Sequence, residues 1–145
     1  MEKEIQVFIS YAKEDLEIAE RLYYDLTNAG ITAWIDTKYL VPGRNWRSAI
    51  NNAIKTSNFF IALISKSSVN KVGFVQKELK IALDLLDEYP LNKTYIIPVR
   101  IDEIIPLDIR IKDIQWVDLF ADYKNAIKKY FMLLFQKRIL LLRIQ

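Results

Sequence analysis

The chain has 145 residues, 52% of them hydrophobic and 27% charged, with a net charge of +3. That suffices for one domain with a buried core and is too apolar for a disordered segment. Cysteine and histidine are both absent, which excludes disulfides, thiol nucleophiles, thiolate and imidazole metal sites, and Ser-His-Asp triads. Lysines and arginines are dispersed, so no nucleic-acid module is expected, although a local pocket for an anion such as pyrophosphate fits the slight positive charge. Met1–Glu4 is polar and no apolar run could cross a bilayer, so a cytoplasmic protein without membrane contact is expected.

Short apolar runs alternate with amphipathic helical patterns, which predicts a parallel α/β sheet. The first strand is predicted over Gln6–Ser10. A helix follows over Asp15–Ala29, with Leu16, Ala19, Leu22, Tyr23 and Leu26 facing inward and Gly30 as its stop. The second strand is predicted over Ile31–Ile35, ending at Asp36. The loop Thr37–Asn45 carries the turn signal Pro42-Gly43. Trp46–Thr56 reads as a helix with Ile50, Ala53 and Ile54 inward. Phe59–Ile64 reads as a buried third strand, followed by a polar Ser/Lys/Asn loop. A helix is then predicted to begin near Gly73 or Phe74, with Val75, Leu79, Ala82, Leu83 and Leu86 as its apolar stripe.

The fourth strand is predicted over Tyr95–Ile101, and Pro98 within it suggests an edge or a bulge. Ile104–Lys112 is irregular, Ile114–Val117 is a short fifth strand, and a long helix starts at Asp122. Its continuation, Ile127–Ile144, is too apolar for one helix face to hide. It either packs on the core and frays, or docks on another domain or subunit.

Three segments carry candidate chemistry. Phe8–Ala12 ends a strand that is central in this topology, so Ser10, Tyr11 and Ala12 lie at the switch point where open α/β sheets bind ligands. Alternatively, Ser10 caps its own turn. The 36–46 segment is long for a βα connection, and long loops are often functional. Arg44 could meet a phosphate and Trp46 could stack on a base. The plainer reading makes Trp46 a core anchor and Asp36 a helix cap. In the third segment, Ser65–Leu79, Glu78 shares a helix face with Phe74 at the rim of the apolar stripe. A carboxylate beside an aromatic ring above a strand end suits chemistry, whereas a Glu flanked by Lys77 and Lys80 also suits plain solvation. There is no Gly-x-Gly-x-x-Gly and no Walker loop, and Ser10-Tyr11 stands where a phosphorylated receiver domain needs an acidic pair.

Together these segments resemble a Toll/interleukin-1 receptor (TIR) domain of the bacterial type, over about residues 5–135. Phe8–Tyr11 is similar to its first box. Asp36–Trp46 is similar to its BB loop, with Leu40, Pro42, Gly43 and Trp46 in pattern. Ser65–Glu78 is similar to the loop and helix bearing the family's catalytic glutamate. Ile96–Val99 and Val117–Leu119 resemble its last two strands. The resemblance implies a flavodoxin-like, five-stranded parallel sheet in the order 2-1-3-4-5, within a single domain over 1–145.

It also implies one of two functions. One is cleavage or cyclisation of NAD with release of nicotinamide, in bacterial defence or stress signalling. The other is a non-catalytic adaptor role through homotypic assembly. Under the first, Glu78 is the catalytic residue. Ser10, Tyr11, Ala12, Asp36, Arg44, Trp46, Ser65 and Phe74 bind substrate. NAD is a substrate, and neither cofactor nor metal is needed. Self-association through the BB loop and helices is expected, and a partner domain could meet the C-terminal helix. Two positions depart from the family pattern: Ala12 stands where enzymes often have a basic residue, with Lys13 after it, and Val41 replaces an acidic residue of some BB loops.

Overall fold

The computed structural model describes residues 5–35, 43, 45–70, 80–82, 84, 95–104 and 116–132. Five strands, β1 (Gln6–Ser10), β2 (Thr32–Trp34), β3 (Phe59–Ile64), β4 (Tyr95–Arg100) and β5 (Val117–Asp118), form one parallel sheet. Their order is β2-β1-β3-β4-β5. The described helices are α1 (Leu16–Asn28), α2 (Trp46–Thr56), α3 (Lys66–Asn70) and α4 (Tyr123–Ala126), whose path continues as a wider turn over Ile127–Met132. Residues 80–82 and 84 are also helical. The parallel α/β sheet is the one that the alternating pattern predicts, and its flavodoxin-like order is the one that the resemblance implies.

Two apolar clusters cover the two faces of the sheet. Val7 and Ile9 of β1, Phe59, Ile61 and Leu63 of β3, and Val99 of β4 pack with Leu22 and Leu26 of α1 and with Ala126, Ile127 and Phe131. The alternate positions, Phe8, Phe60, Ala62, Ile64 and Ile96, pack with Ile50, Ala53 and Ile54 of α2 and with Ala82. A strand covered on both faces has no polar side to show, so all six residues of β3 are apolar and buried. On the second face, aromatic rings stack across three strands. Phe8 lies 5.0 Å from Trp34 and 5.3 Å from Phe60, between ring centroids.

Local chemistry sets the helix ends. Gly30 adopts φ +86°, which only glycine takes readily. That turn lets Gly30 N–H donate to the Thr27 carbonyl and Ile31 N–H to the Leu26 carbonyl, each at 3.0 Å. Ile31 then packs in the same cluster as Leu26, so α1 stops and β2 starts within a few residues. Asn45 caps α2, its side-chain oxygen accepting from the N–H groups of Arg47 and Ser48.

The structure departs from expectation at three places. The segment after β3, expected to be a loop, forms the short helix α3, because Ser65 and Ser68 close its first turn on each other. Among the described residues the fifth strand pairs at Val117–Asp118, one residue past the end of the expected Ile114–Val117, with Leu119 N–H donating to the Arg100 carbonyl. Pro98 lies in a strand with neighbours on both sides, in register with Ala62 of β3. Ile101 N–H donates to β3 at Ile64, so by alternation Pro98 nitrogen points away from β3. The register with β5 begins one residue later, at Val99, so among the described residues no ladder bond calls for a Pro98 donor.

Candidate functional site at the carboxyl edge of the sheet

Parallel strands bring the carboxyl ends of β1, β3, β4 and β5 to one edge. Ser10 closes β1 opposite Ala62, and Tyr11-Ala12 leads into a single turn over Lys13–Asp15. Asp15 N–H donates to the Ala12 carbonyl at 2.8 Å, closing that turn. Ser10, Tyr11 and Ala12 are all buried, and Tyr11 joins the apolar cluster beneath α1. This first loop is thus held in place by packing.

Next to it, β3 ends at Ile64 and leads into Ser65, which is 1% exposed. Ser65 N–H donates to Ser68 Oγ at 2.8 Å, and Ser68 N–H donates to Ser65 Oγ at 3.0 Å. These bonds satisfy amide groups that a helix start leaves without partners. Ser65 Oγ keeps its own hydrogen for Asp15, donating to Oδ2 at 2.5 Å. Lys66 N–H donates to Asp102 Oδ2 at 2.8 Å. The turn between β3 and α3 is therefore gripped by two carboxylates, one from the loop after β1 and one from the turn after β4.

The next pair of strands ends in a charged lock. Arg100 Nε–H and Nη2–H donate to the two carboxylate oxygens of Asp118, and Nη1–H donates to the Ile104 carbonyl at 3.1 Å. The guanidinium also sits over the rings of Trp116 and Phe120, at 4.8 and 5.3 Å. The hydrogen bond to Asp118 holds the Arg100 pKa above its ordinary value, against a smaller opposing effect of burial. By holding Ile104, Arg100 ties down the 101–104 turn that carries Asp102.

Of the expected site residues, Ser10, Tyr11, Ala12 and Ser65 gather at this edge, joined through Asp15. Trp46 is the first residue of α2, with Asn45 rather than Asp36 as the cap; its side chain lies outside the described residues, as do Asp36, Arg44, Phe74 and Glu78. Asp15, Ser68, Arg100, Asp102 and Asp118 were not expected here. The Ser-x-x-Ser spacing of 65–68 is a helix-start signal that could have marked α3. The carboxylate partners come from distant parts of the chain and leave no local signal.

A family model described as a TIR domain matches residues 7–131. The chain belongs to the TIR domain family. A protein of Methanobrevibacter olleyae named "Probable 2' cyclic ADP-D-ribose synthase TcpO" is 25% identical over 119 residues, 80% of this chain. The match spans 31% of that relative's length, so the relative is a much longer protein. The TIR domain of the Toll-related receptor TRR-2 from Hydra magnipapillata superposes with a TM-score of 0.69 at 25% identity, covering 90% of this chain and 95% of that one. The TIR domains of the activated Roq1 resistosome superpose with a TM-score of 0.70 at 19% identity, covering 92% and 98%. This last likeness is one of fold. Among the described residues of this TIR domain, no helix is long and apolar enough to cross a membrane.

Proposed function

We propose that this TIR domain cleaves the nicotinamide–ribose bond of NAD, releasing nicotinamide, and that self-association activates it in bacterial defence or stress signalling. The observation that carries this reading is the likeness, over 80% of the chain, to a relative named for making cyclic ADP-D-ribose. Such a product is NAD without its nicotinamide and with the freed ribose carbon rejoined to the same molecule. A chain without histidine or cysteine suits this chemistry. Nicotinamide departs as a neutral molecule from a cationic glycoside, so the leaving group needs no proton. Positive charge develops on the ribose, and a single carboxylate can stabilise it or hold the ribose hydroxyls.

Glu78 is assigned that carboxylate. Phe74 and Trp46 supply stacking surfaces, and Arg44 meets the pyrophosphate. Asp36, Ser10, Tyr11, Ala12 and Ser65 frame the site. Attack by water then yields ADP-ribose, and attack by a ribose hydroxyl of the same molecule yields a cyclic isomer; each forms one C–O bond and releases one proton. The relative's name favours the cyclic product. A competing reading, an adaptor that works by homotypic assembly, draws on Ala12: at 1% exposure it brings no charge where the family's enzymes often carry a basic residue.

Chromatography of NAD incubated with dilute and with concentrated protein separates the two readings. Nicotinamide should accumulate, and faster per molecule in the concentrated sample. Its absence at high concentration, with native circular dichroism, would leave the adaptor reading.

A further inference from the structure

The two carboxylates that grip the β3–α3 turn come from opposite directions. Asp15 reaches Ser65 from the end of β1, and Asp102 reaches the amide of Lys66 from the turn after β4. Neither bond joins elements that are adjacent in the chain: they span 50 and 36 residues. Packing already fixes β3 itself, since all six of its residues are buried. Beyond Ile64, packing holds the chain through the buried Ser65 and Ser68 and through Val69, the sole large apolar side chain of α3, which lies partly buried against the second cluster. The polar grips add the directional part of that hold. In sequence, this exit leads to Phe74 and Glu78.

Each partner is committed. Ser65 Oγ accepts from Ser68 N–H, so its single hydrogen has one direction left, towards Asp15. Ser68 Oγ is likewise taken, accepting from Ser65 N–H and donating to the Ser65 carbonyl at 3.1 Å. On the other side, Lys66 N–H is one of the donors that a helix start leaves open, and Asp102 fills it. Asp102 is in turn held by its own turn, where Ile104 N–H donates to the Asp102 carbonyl at 2.9 Å and Arg100 holds the Ile104 carbonyl. The Asp15 bond is part-buried and the Asp102 bond lies at the surface, and each joins groups that further hydrogen bonds hold in place.

We infer that Asp15 and Asp102 are positioning residues for the NAD-cleaving reaction, together setting the direction in which the chain leaves β3 towards Glu78. This rests on the proposed function for its kinetic half, while the grip on residues 65–70 can be measured without any turnover. A carboxylate nucleophile or stabiliser displaced by about 1 Å can lose about a hundredfold in rate while substrate contacts elsewhere persist. The effect of losing either grip should therefore fall on kcat more than on KM.

The experiment compares wild type with Asp15→Ala, Asp102→Ala, Asp15→Asn and Asp102→Asn. Nicotinamide release is measured at saturating and at low NAD, and amide hydrogen exchange over residues 65–70 on the same samples. Each alanine variant should lower kcat by about tenfold or more with KM changed by less than about threefold. Each should also speed exchange at 65–70 while β1 and β3 stay protected. The asparagine variants keep an acceptor oxygen and should recover both readouts. Unchanged exchange at 65–70 in both alanine variants would overturn the inference, as would a kcat loss that asparagine fails to relieve. If Asp15→Ala does not fold, Asp102→Ala decides alone, because its bond lies at the surface. If wild type releases no nicotinamide, the proposed function falls, and exchange at 65–70 still decides whether the two carboxylates hold the turn.

Discussion

Arg100 grips Asp118 with two parallel hydrogen bonds, Nε–H to Oδ1 at 2.5 Å and Nη2–H to Oδ2 at 3.0 Å, across the ends of β4 and β5. β5 contributes only two residues to the sheet, so this fork does much to hold it. Lysine keeps the charge but not the planar fork, and it cannot also reach the Ile104 carbonyl. Arg100→Lys should therefore destabilise the domain by about 1 kcal/mol, a modest figure because Asp118 is 38% exposed and water screens the pair. The Arg100 pKa is raised in the fold. The stability drawn from that raised pKa is thus fully present across the neutral range and fades only as pH climbs past arginine's ordinary value. Urea unfolding should show the same deficit for the lysine variant across the neutral range, and a wild-type midpoint there would remove this role.

Tyr123 fastens α4 to α1. Its hydroxyl donates to Asp25 Oδ2 at 2.6 Å, and the Arg21 guanidinium lies 3.7 Å above its ring. Burial, then the hydrogen bond to Asp25, raises the Tyr123 pKa well above 10.0. The sign follows from linkage: the folded state keeps a proton that the unfolded chain loses, so stability falls as pH rises beyond the unfolded value. Tyr123→Phe should cost about 1 kcal/mol at neutral pH. The gap between the two proteins should shrink between about pH 10 and pH 12, as that contribution fades. Denaturant midpoints that stay equally far apart at both ends of this window would contradict the account.

Ser65→Ala removes a helix cap and the partner of Asp15 in one step. A cap alone is worth about 1 kcal/mol, and leaving Asp15 without this donor adds about 1 kcal/mol more. The melting temperature should drop accordingly. The double variant Asp15→Ala/Ser65→Ala should lose less than the sum of the two single variants, because they share one bond. Strict additivity in thermal melts would mean that the bond contributes nothing.

Glu78→Ala tests the proposed chemistry. NAD cleavage should fall by about a hundredfold or more, while stability stays within about 0.5 kcal/mol, as expected at the rim of an apolar stripe. Full activity would move the catalytic role elsewhere, and a large fall in melting temperature would make Glu78 structural.

Gly43 takes φ +85°, and a Cβ built there meets nothing within 4 Å. The obstacle to valine is the backbone, at a cost of about 1–2 kcal/mol for the left-handed conformation. Gly43→Val should therefore weaken self-association and NAD turnover together, with asparagine at the same site much milder. Light scattering and turnover on the same samples check this; wild-type values for both would make the 36–46 segment a mere connector.

Much of the fold is legible in the sequence, for identifiable reasons. β3 announces itself because a strand covered on both faces must be apolar throughout, β1 by its apolar run Val7–Ile9, and α1 and α2 because their inward stripes end at Gly30 and begin beside Asn45. The helix α3 was hidden. Five residues rich in serine and asparagine read as a loop, and only the reciprocal bonds of Ser65 and Ser68 make them helical. β5 pairs beyond the end of its expected range because a bond from Leu119 N–H to Arg100, distant in the chain, decides which residues pair. At the site, Ser10, Tyr11 and Ser65 were recognisable from position at strand ends. Asp15, which holds Ser65, and Asp102, which holds the Lys66 amide, were not, since nothing local distinguishes a carboxylate that reaches across the sheet edge from one that faces water. Glu78, Phe74, Asp36 and Arg44 were picked out by pattern and resemblance, and lie outside the described residues.

The stack of Trp34, Phe8 and Phe60 has a consequence for how the chain is made. Phe8 sits between the other two, yet β3 is translated last of the three strands. At about 5–20 residues per second, roughly three to ten seconds separate the synthesis of Phe8 from that of Phe60. During that interval β1 can pair with β2 alone, leaving its other side open and its apolar side chains half covered. A two-stranded ribbon is marginal in water. The growing chain must therefore stay uncommitted, or be sheltered by a chaperone, until the third ring arrives to close the stack.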